Sequence, residues 1–225
     1  MWAETSSFSW FKPVYYQGSP DAPIVLRKDI PVAPKAVARG APGIVSLLGT
    51  GFRTDTVVTL FKDGVTTATA SRVKLTSYSL EFTVPAAFTN SIGVLTIQAK
   101  NPQATVGDAA AISVIATPVL GGLSPSSVDV TQQDPGAPYV FDAFTVRVTA
   151  SDLPDDISLC IARVSKATGG GLATGFDSVI SVSPSGFSFP IGSIPFDGKW
   201  DVHLRCGGVT SNGLSINFIN TGPVK

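Results

Sequence analysis

Apolar and polar residues alternate along most of this chain, in short runs broken by turn-forming residues. Leu80, Phe82 and Val84 share one parity, and Leu95, Ile97 and Ala99 do the same on a neighbouring run. A period of two marks a strand with one buried face. The pattern predicts strands over 44–48, 56–61, 68–75, 79–84, 93–100 and 111–115. Turns are expected at Gly49 to Gly51, Lys62-Asp63-Gly64, Asn90 to Gly93 and Asn101-Pro102. A second set is expected over 144–150, 157–164, 179–182, 186–189, 199–206 and 214–219, with Gln132 to Pro138 as an early loop. Short strands at this spacing, with Asp63-Gly64 as a tight-turn signal, describe antiparallel sandwiches.

The second half repeats the first. FTVPAAFTNSIG, from Phe82 to Gly93, lies against FSFPIGSIPFDG, from Phe187 to Gly198, at an offset of 105. Phe82/Phe187, Pro85/Pro190 and Gly93/Gly198 coincide. Upstream, Ser46 to Phe52 matches Arg147 to Leu153 at an offset of 101, the difference falling in the loop Ser165 to Gly175. One supersecondary plan used twice accounts for both matches. The predicted division is an extended arm over 1–40, a first domain over 41–117 and a second over 118–225, with Thr117 to Ser127 (TPVLGGLSPSS) as the boundary.

Composition narrows the function classes. The 225 residues hold 22 Gly and 17 Pro, and Lys plus Arg balances Asp plus Glu at 16 each. Zero net charge removes bulk attraction to nucleic acid or an anionic membrane. No stretch approaches the roughly 20 apolar residues of a membrane-spanning helix, and the N-terminal residues lack the basic-then-apolar pattern of a secretory signal. Cys160 and Cys206 are the two cysteines. If Ile157, Leu159 and Ile161 face the core, Cys160 faces outward while Cys206 shares the side of Trp200, Val202 and Leu204, so the parity argues against pairing.

Several short motifs resemble the IPT/TIG family of immunoglobulin-like domains: Gly49-Thr50-Gly51-Phe52 and Val84-Pro85 in the first copy, and Leu123-Ser124-Pro125-Ser126-Ser127, Phe189-Pro190 and Gly207 to Asn212 in the second. The resemblance covers about residues 31 to 219. It departs from the family where Ala150-Ser151-Asp152-Leu153 replaces the glycine turn and where Thr168 to Gly171 is inserted. It implies an all-β fold of two tandem immunoglobulin-like sandwiches, a binding or scaffolding role, and no catalytic residues.

The candidate chemistry is sparse. His203, the single histidine, is predicted mid-strand on the face opposite Trp200 and reads as a polar residue of the sheet surface, not as a general base. Asp152, Asp155 and Asp156 share one loop and could hold calcium only if further oxygens converged; a solvated turn is the favoured reading. Gly169-Gly170-Gly171 lacks the strand-to-helix junction and Lys of a phosphate loop. No catalytic, cofactor or metal site is therefore expected.

The arm stands apart. Trp2, Phe8, Trp10, Phe11, Tyr15 and Tyr16 crowd its first sixteen positions, and burying such side chains is worth roughly 1.5–3 kcal/mol each. Either the arm folds back on the first domain or it docks on a neighbouring subunit, where aromatic anchors dominate interface energetics. The resemblance implies a non-enzymatic structural protein of a bacteriophage particle, a head decoration or tail-associated subunit. Its partners would be shell or tail subunits in a homo-oligomeric assembly, with location in the virion and synthesis in the host cytoplasm. The alternative is a carbohydrate- or receptor-binding module, a host-surface glycan stacking on Trp2, Trp10 or Trp200.

Overall fold

The computed structural model describes residues 21–62, 64–104, 107–131, 139–167 and 173–222. The first half holds β1 (Val25–Leu26), β2 (Val32–Ala33), β3 (Ala36–Ala38), β4 (Gly43–Thr50), β5 (Val57–Lys62), β6 (Val65–Thr69), β7 (Ser71–Leu75), β8 (Ser79–Val84), β9 (Gly93–Lys100) and β10 (Asp108–Ile115). One sheet runs β1-β4-β8-β7, with β2 also on β4, and the other runs β3-β10-β9-β5-β6. The pairing is antiparallel except for β3, which lies parallel to β10. This is the A-B-E-D sheet facing the G-F-C sheet of an immunoglobulin sandwich.

The second half repeats the order with β11 (Val119–Ser124), β12 (Ser127–Val130), β13 (Tyr139–Ser151), β14 (Cys160–Ala167), β15 (Ala173–Val179), β16 (Ser181–Ser183), β17 (Gly186–Ile194), β18 (Gly198–Cys206), β19 (Val209–Thr210) and β20 (Leu214–Asn220). Its sheets run β11-β13-β17-β16 and β12-β20-β18-β14-β15, with β12 parallel to β20. In each copy the first strand passes from one sheet to the other at a cis X–Pro bond, Ala33–Pro34 and Ser124–Pro125.

Alternation explains both cores. Val45, Leu47, Leu80, Phe82, Leu95 and Ile97 are fully buried between the first pair of sheets. Val146, Val164, Trp200, Val202, Leu204 and Ile216 are fully buried between the second. Trp200 meets Phe218 edge-on at 6.4 Å between ring centroids, a favourable aromatic geometry. Its indole N–H, which needs a partner when buried, donates to the Phe196 carbonyl at 2.9 Å.

The structure revises several expectations. Ile24, Leu26, Val32 and Val37 are buried in the first core, so much of the lead-in assigned to the arm is built into the sandwich. Val119–Ser124, assigned to the boundary, is a strand, because Leu120 is buried while Val119 is exposed. The predicted strand over 68–75 is two strands that change sheets at Ala70. Likewise, the strand predicted over 179–182 is the end of β15 and the start of β16.

The repeat is also adjusted. Gly93 and Gly198 both open the equivalent strand. Phe187, however, pairs with Val148 as Leu80 pairs with Leu47. The Phe/Pro coincidence is thus two residues out of step with the ladder, and a two-residue shift survives because it keeps every side chain on its face.

Cys160 and Cys206 form a disulfide, contrary to the parity argument. The expected strand does not run through Ile157, because Ile157–Leu159 is a 3-10 turn capped by Asp156. Extended structure starts only at Cys160, which puts Cys160, Ala162 and Val164 on the buried face. Cys160 lies directly opposite Cys206. The adjacent Gly207 N–H donates to the Leu159 carbonyl at 2.8 Å, so the cysteines form a non-hydrogen-bonded pair, where facing side chains are closest. The bond joins two strands of one sheet and does not cross between sheets.

Candidate interaction surfaces

Three polar staples fix the loops around which any surface must be built. Asn101 is fully buried; its amide donates to the Ala22 carbonyl at 3.0 Å and the Gly51 carbonyl at 2.9 Å. Its Oδ1 accepts from the Thr56 hydroxyl at 2.6 Å. One side chain thus ties the start of the described chain to two loops, as a buried amide must to satisfy its groups. In the second domain Asn212 acts as a substitute strand residue, accepting from Leu120 N–H at 2.7 Å and donating to Leu120 C=O at 2.9 Å. Ser211 accepts from Leu204 N–H at 2.9 Å. The Gly207 to Asn212 motif is therefore structural.

That motif also meets the first domain. The Gly207 carbonyl accepts from Ala36 N–H at 3.2 Å. A Cβ on Gly207 would sit 2.7 Å from Ala36 Cβ, and Gly207 has φ +61°, a conformation that glycine adopts without steric cost. Ala36 and Ile115 pack with the second core, so the halves touch through backbone and apolar side chains across residues 116–118.

Beside this junction lies a crevice of about 360 Å³ lined by Ile92, Val94, Asp152, Leu153, Asp155 and Asp156, among others. The three aspartates thus share one wall, while exposed Ile92 and Val94 from the first domain form the other. Sequence reasoning did not pair these groups, since their approach depends on how the domains meet. The carboxylates are not gathered on one point. Asp156 accepts from Ser158 N–H at 3.1 Å and Ser158 Oγ at 2.6 Å, whereas Asp152 accepts from Ser151 Oγ at 3.2 Å. Among the described residues no group of three or more His, Cys, Asp or Glu is placed to hold a metal ion.

His203 is half-buried, its Nδ1 3.4 Å from the accepting Ser211 carbonyl. Gly213 packs on its ring. The Arg27 guanidinium, hydrogen-bonded to Asp29, holds that carboxyl below its usual range, and Arg53 does the same for Asp55. Both carboxylates are exposed and such pairs add little stability. Gly169-Gly170-Gly171 and the arm anchors Trp2, Phe8, Trp10, Phe11, Tyr15 and Tyr16 lie outside the described residues. No helix among the described residues is long and apolar enough to cross a membrane.

No family model and no curated protein matches the chain. Among solved structures, it is similar to an I-band fragment from titin, with 15% identity and a TM-score of 0.30, covering 89% of this chain and 66% of that one. It is similar to the titin Z1Z2 domains in complex with telethonin, with 17% identity and a TM-score of 0.28, covering 86% and 95%. Domains 4–9 of the surface layer protein SbsC match at 18% identity and a TM-score of 0.30, covering 88% of this chain and 32% of that one. These likenesses are too distant to carry a function. The immunoglobulin-like class rests on the strand order and pairing of the two sandwiches themselves.

Proposed function

We propose that this chain is a non-enzymatic structural protein of a bacteriophage particle, a head decoration or tail-associated subunit built from two IPT/TIG-like domains. The observation that carries the reading is the tandem itself: two sandwiches with buried cores, joined by a three-residue link and by direct contact between Ala36 and Gly207. Such a tandem presents surfaces at a set spacing. The scattered aspartates and the half-buried His203 offer no constellation for acid–base or metal chemistry.

Residues 2–16 supply the anchor, six aromatic side chains that bury against a shell or tail subunit. The disulfide is in keeping with a protein that works outside a reducing cytosol, on a virion or cell surface. Deletion of residues 2–16 is expected to abolish incorporation into particles while both domains remain folded. Normal incorporation of the deletion refutes the anchoring role.

The glycan-binding alternative keeps one feature in its favour, a slot lined by Thr174, Phe176, Ser178, Pro190, Ser193 and Pro195. Trp200 borders the slot but is fully buried, so its ring offers no face for a sugar to stack on. A glycan screen read by tryptophan fluorescence separates the two readings.

A further inference from the structure

Sheet edges present unpaired N–H and C=O groups, and proteins guard them with short strands, bulges, Lys or Pro. Among the described residues, the strands that end each sheet are guarded in these ways, with one exception. β7 carries Arg72 and Lys74 with a bulge between them, and β6 meets β5 through another. β11 has a bulge at Leu120/Gly122. β1, β2, β3, β12 and β16 are each four residues or shorter.

β15 is the exception. Its seven residues pair with β14 in unbroken register from Ile161↔Val179 to Ala167↔Ala173. It contains no Lys, Arg or Pro, and Val179 is 81% exposed. Among the described residues no strand pairs with its outer side. We propose that β15 pairs antiparallel with β15 of a second copy of this chain, extending the β12-β20-β18-β14-β15 sheet across a two-fold axis at Phe176. This stands independently of the virion reading.

The hydrogen-bond parity fixes the register. The Gly207-to-Leu159 bond directs the main-chain groups of Leu159, Ile161 and Arg163 toward β18, so those of Ala162, Val164 and Lys166 face β15. Their partners Ser178, Phe176 and Thr174 face back. Ala173, Gly175, Asp177 and Val179 therefore point their N–H and C=O outward. An axis at Phe176 sets Ala173 opposite Val179 and Gly175 opposite Asp177 of the second copy. All four outward residues then meet outward residues.

The same register brings Phe176 against its own copy and Thr174 against Ser178, the aromatic and hydroxyl pairs that stabilise adjacent strands. The sole charge, Asp177, faces a glycine and is already neutralised by Arg163 at 3.1 Å. A one-residue shift of the axis to Asp177 would set the two aspartates face to face, and a shift to Gly175 would leave Val179 without a partner in the strand. The closed two-fold also explains how an unguarded edge avoids open-ended stacking.

Sedimentation equilibrium of the full chain, with residue-resolved amide hydrogen exchange across a concentration series, tests this. A dimer is expected in which the amides of Gly175, Asp177 and Val179 become protected as concentration rises. Val179→Lys, and separately Asp177→Pro, which removes an outward N–H, should each raise the dissociation constant about tenfold or more. Both should leave the near-ultraviolet signal of buried Trp200 unchanged. Asp177→Pro alone could disturb β15, and Val179→Lys, at an exposed side chain, guards against that. A monomer at every concentration overturns the proposal. So does an associated chain whose three amides exchange at one rate throughout, or a dimer that Val179→Lys leaves as tight as before.

Discussion

Reducing the Cys160–Cys206 bond should destabilise the second domain selectively. The cysteines are 46 residues apart in sequence, and closing a loop of that size removes about 13–14 cal/mol/K of unfolded-chain entropy, or about 4 kcal/mol at room temperature. The cross-linked segment spans β14 to β18 and includes Phe187, Phe189 and Trp200, so the constraint acts on the chain that forms the second core. None of it lies in the first.

Against a typical domain stability of about 5–15 kcal/mol, this is a large fraction. With a urea slope of about 1–3 kcal/mol/M, the midpoint of the second domain should fall by about 2 M. Trp200 is the one tryptophan among the described residues. In a Trp2→Phe/Trp10→Phe background its fluorescence follows the second domain alone, while amide signals of Leu47, Phe82 and Ile97 follow the first. The expected result is two separated transitions after reduction, only the Trp200 transition having moved. A shift below about 0.5 M, or an equal shift in both domains, refutes the reasoning.

Three further outcomes follow from particular contacts. Asn101→Ala removes the buried amide that joins the Ala22 and Gly51 carbonyls to the Thr56 hydroxyl, and losing these three hydrogen bonds should cost the first domain about 2–3 kcal/mol in urea unfolding, with the second unaffected. Gly207→Ala drives a Cβ to within 2.8 Å of Ala36 N and should change the orientation of the domains, read by residual dipolar couplings, without unfolding the first. Asp152 holds φ +57° where Gly51 of the first copy holds φ +86°. Asp152→Ala should therefore be about 1 kcal/mol less stable than Asp152→Gly, measured by thermal unfolding.

The period-two runs at Ser79–Val84 and Gly93–Lys100 fixed strands whose bounds the structure keeps, because one buried face forces alternation whatever the partner strand. The same runs identified the core faces of Leu80, Phe82, Leu95 and Ile97. Parity failed where the backbone left the extended state. One 3-10 turn at Ile157–Leu159 reversed the facing of Cys160 and turned an expected pair of thiols into a disulfide.

Low-charge, proline-marked segments such as Val32 to Ala38 and Val119 to Ser124 read locally as linkers, and only pairing with distant strands made them edges of sheets. The all-β alternation and the twofold repeat of the plan were legible in the order of residues, since both are local in the chain. Tertiary structure alone decided which edges remain unguarded, which aspartates share a crevice with Ile92 and Val94, and how Gly207 meets Ala36. Those relations join residues far apart in sequence, and no local periodicity encodes them.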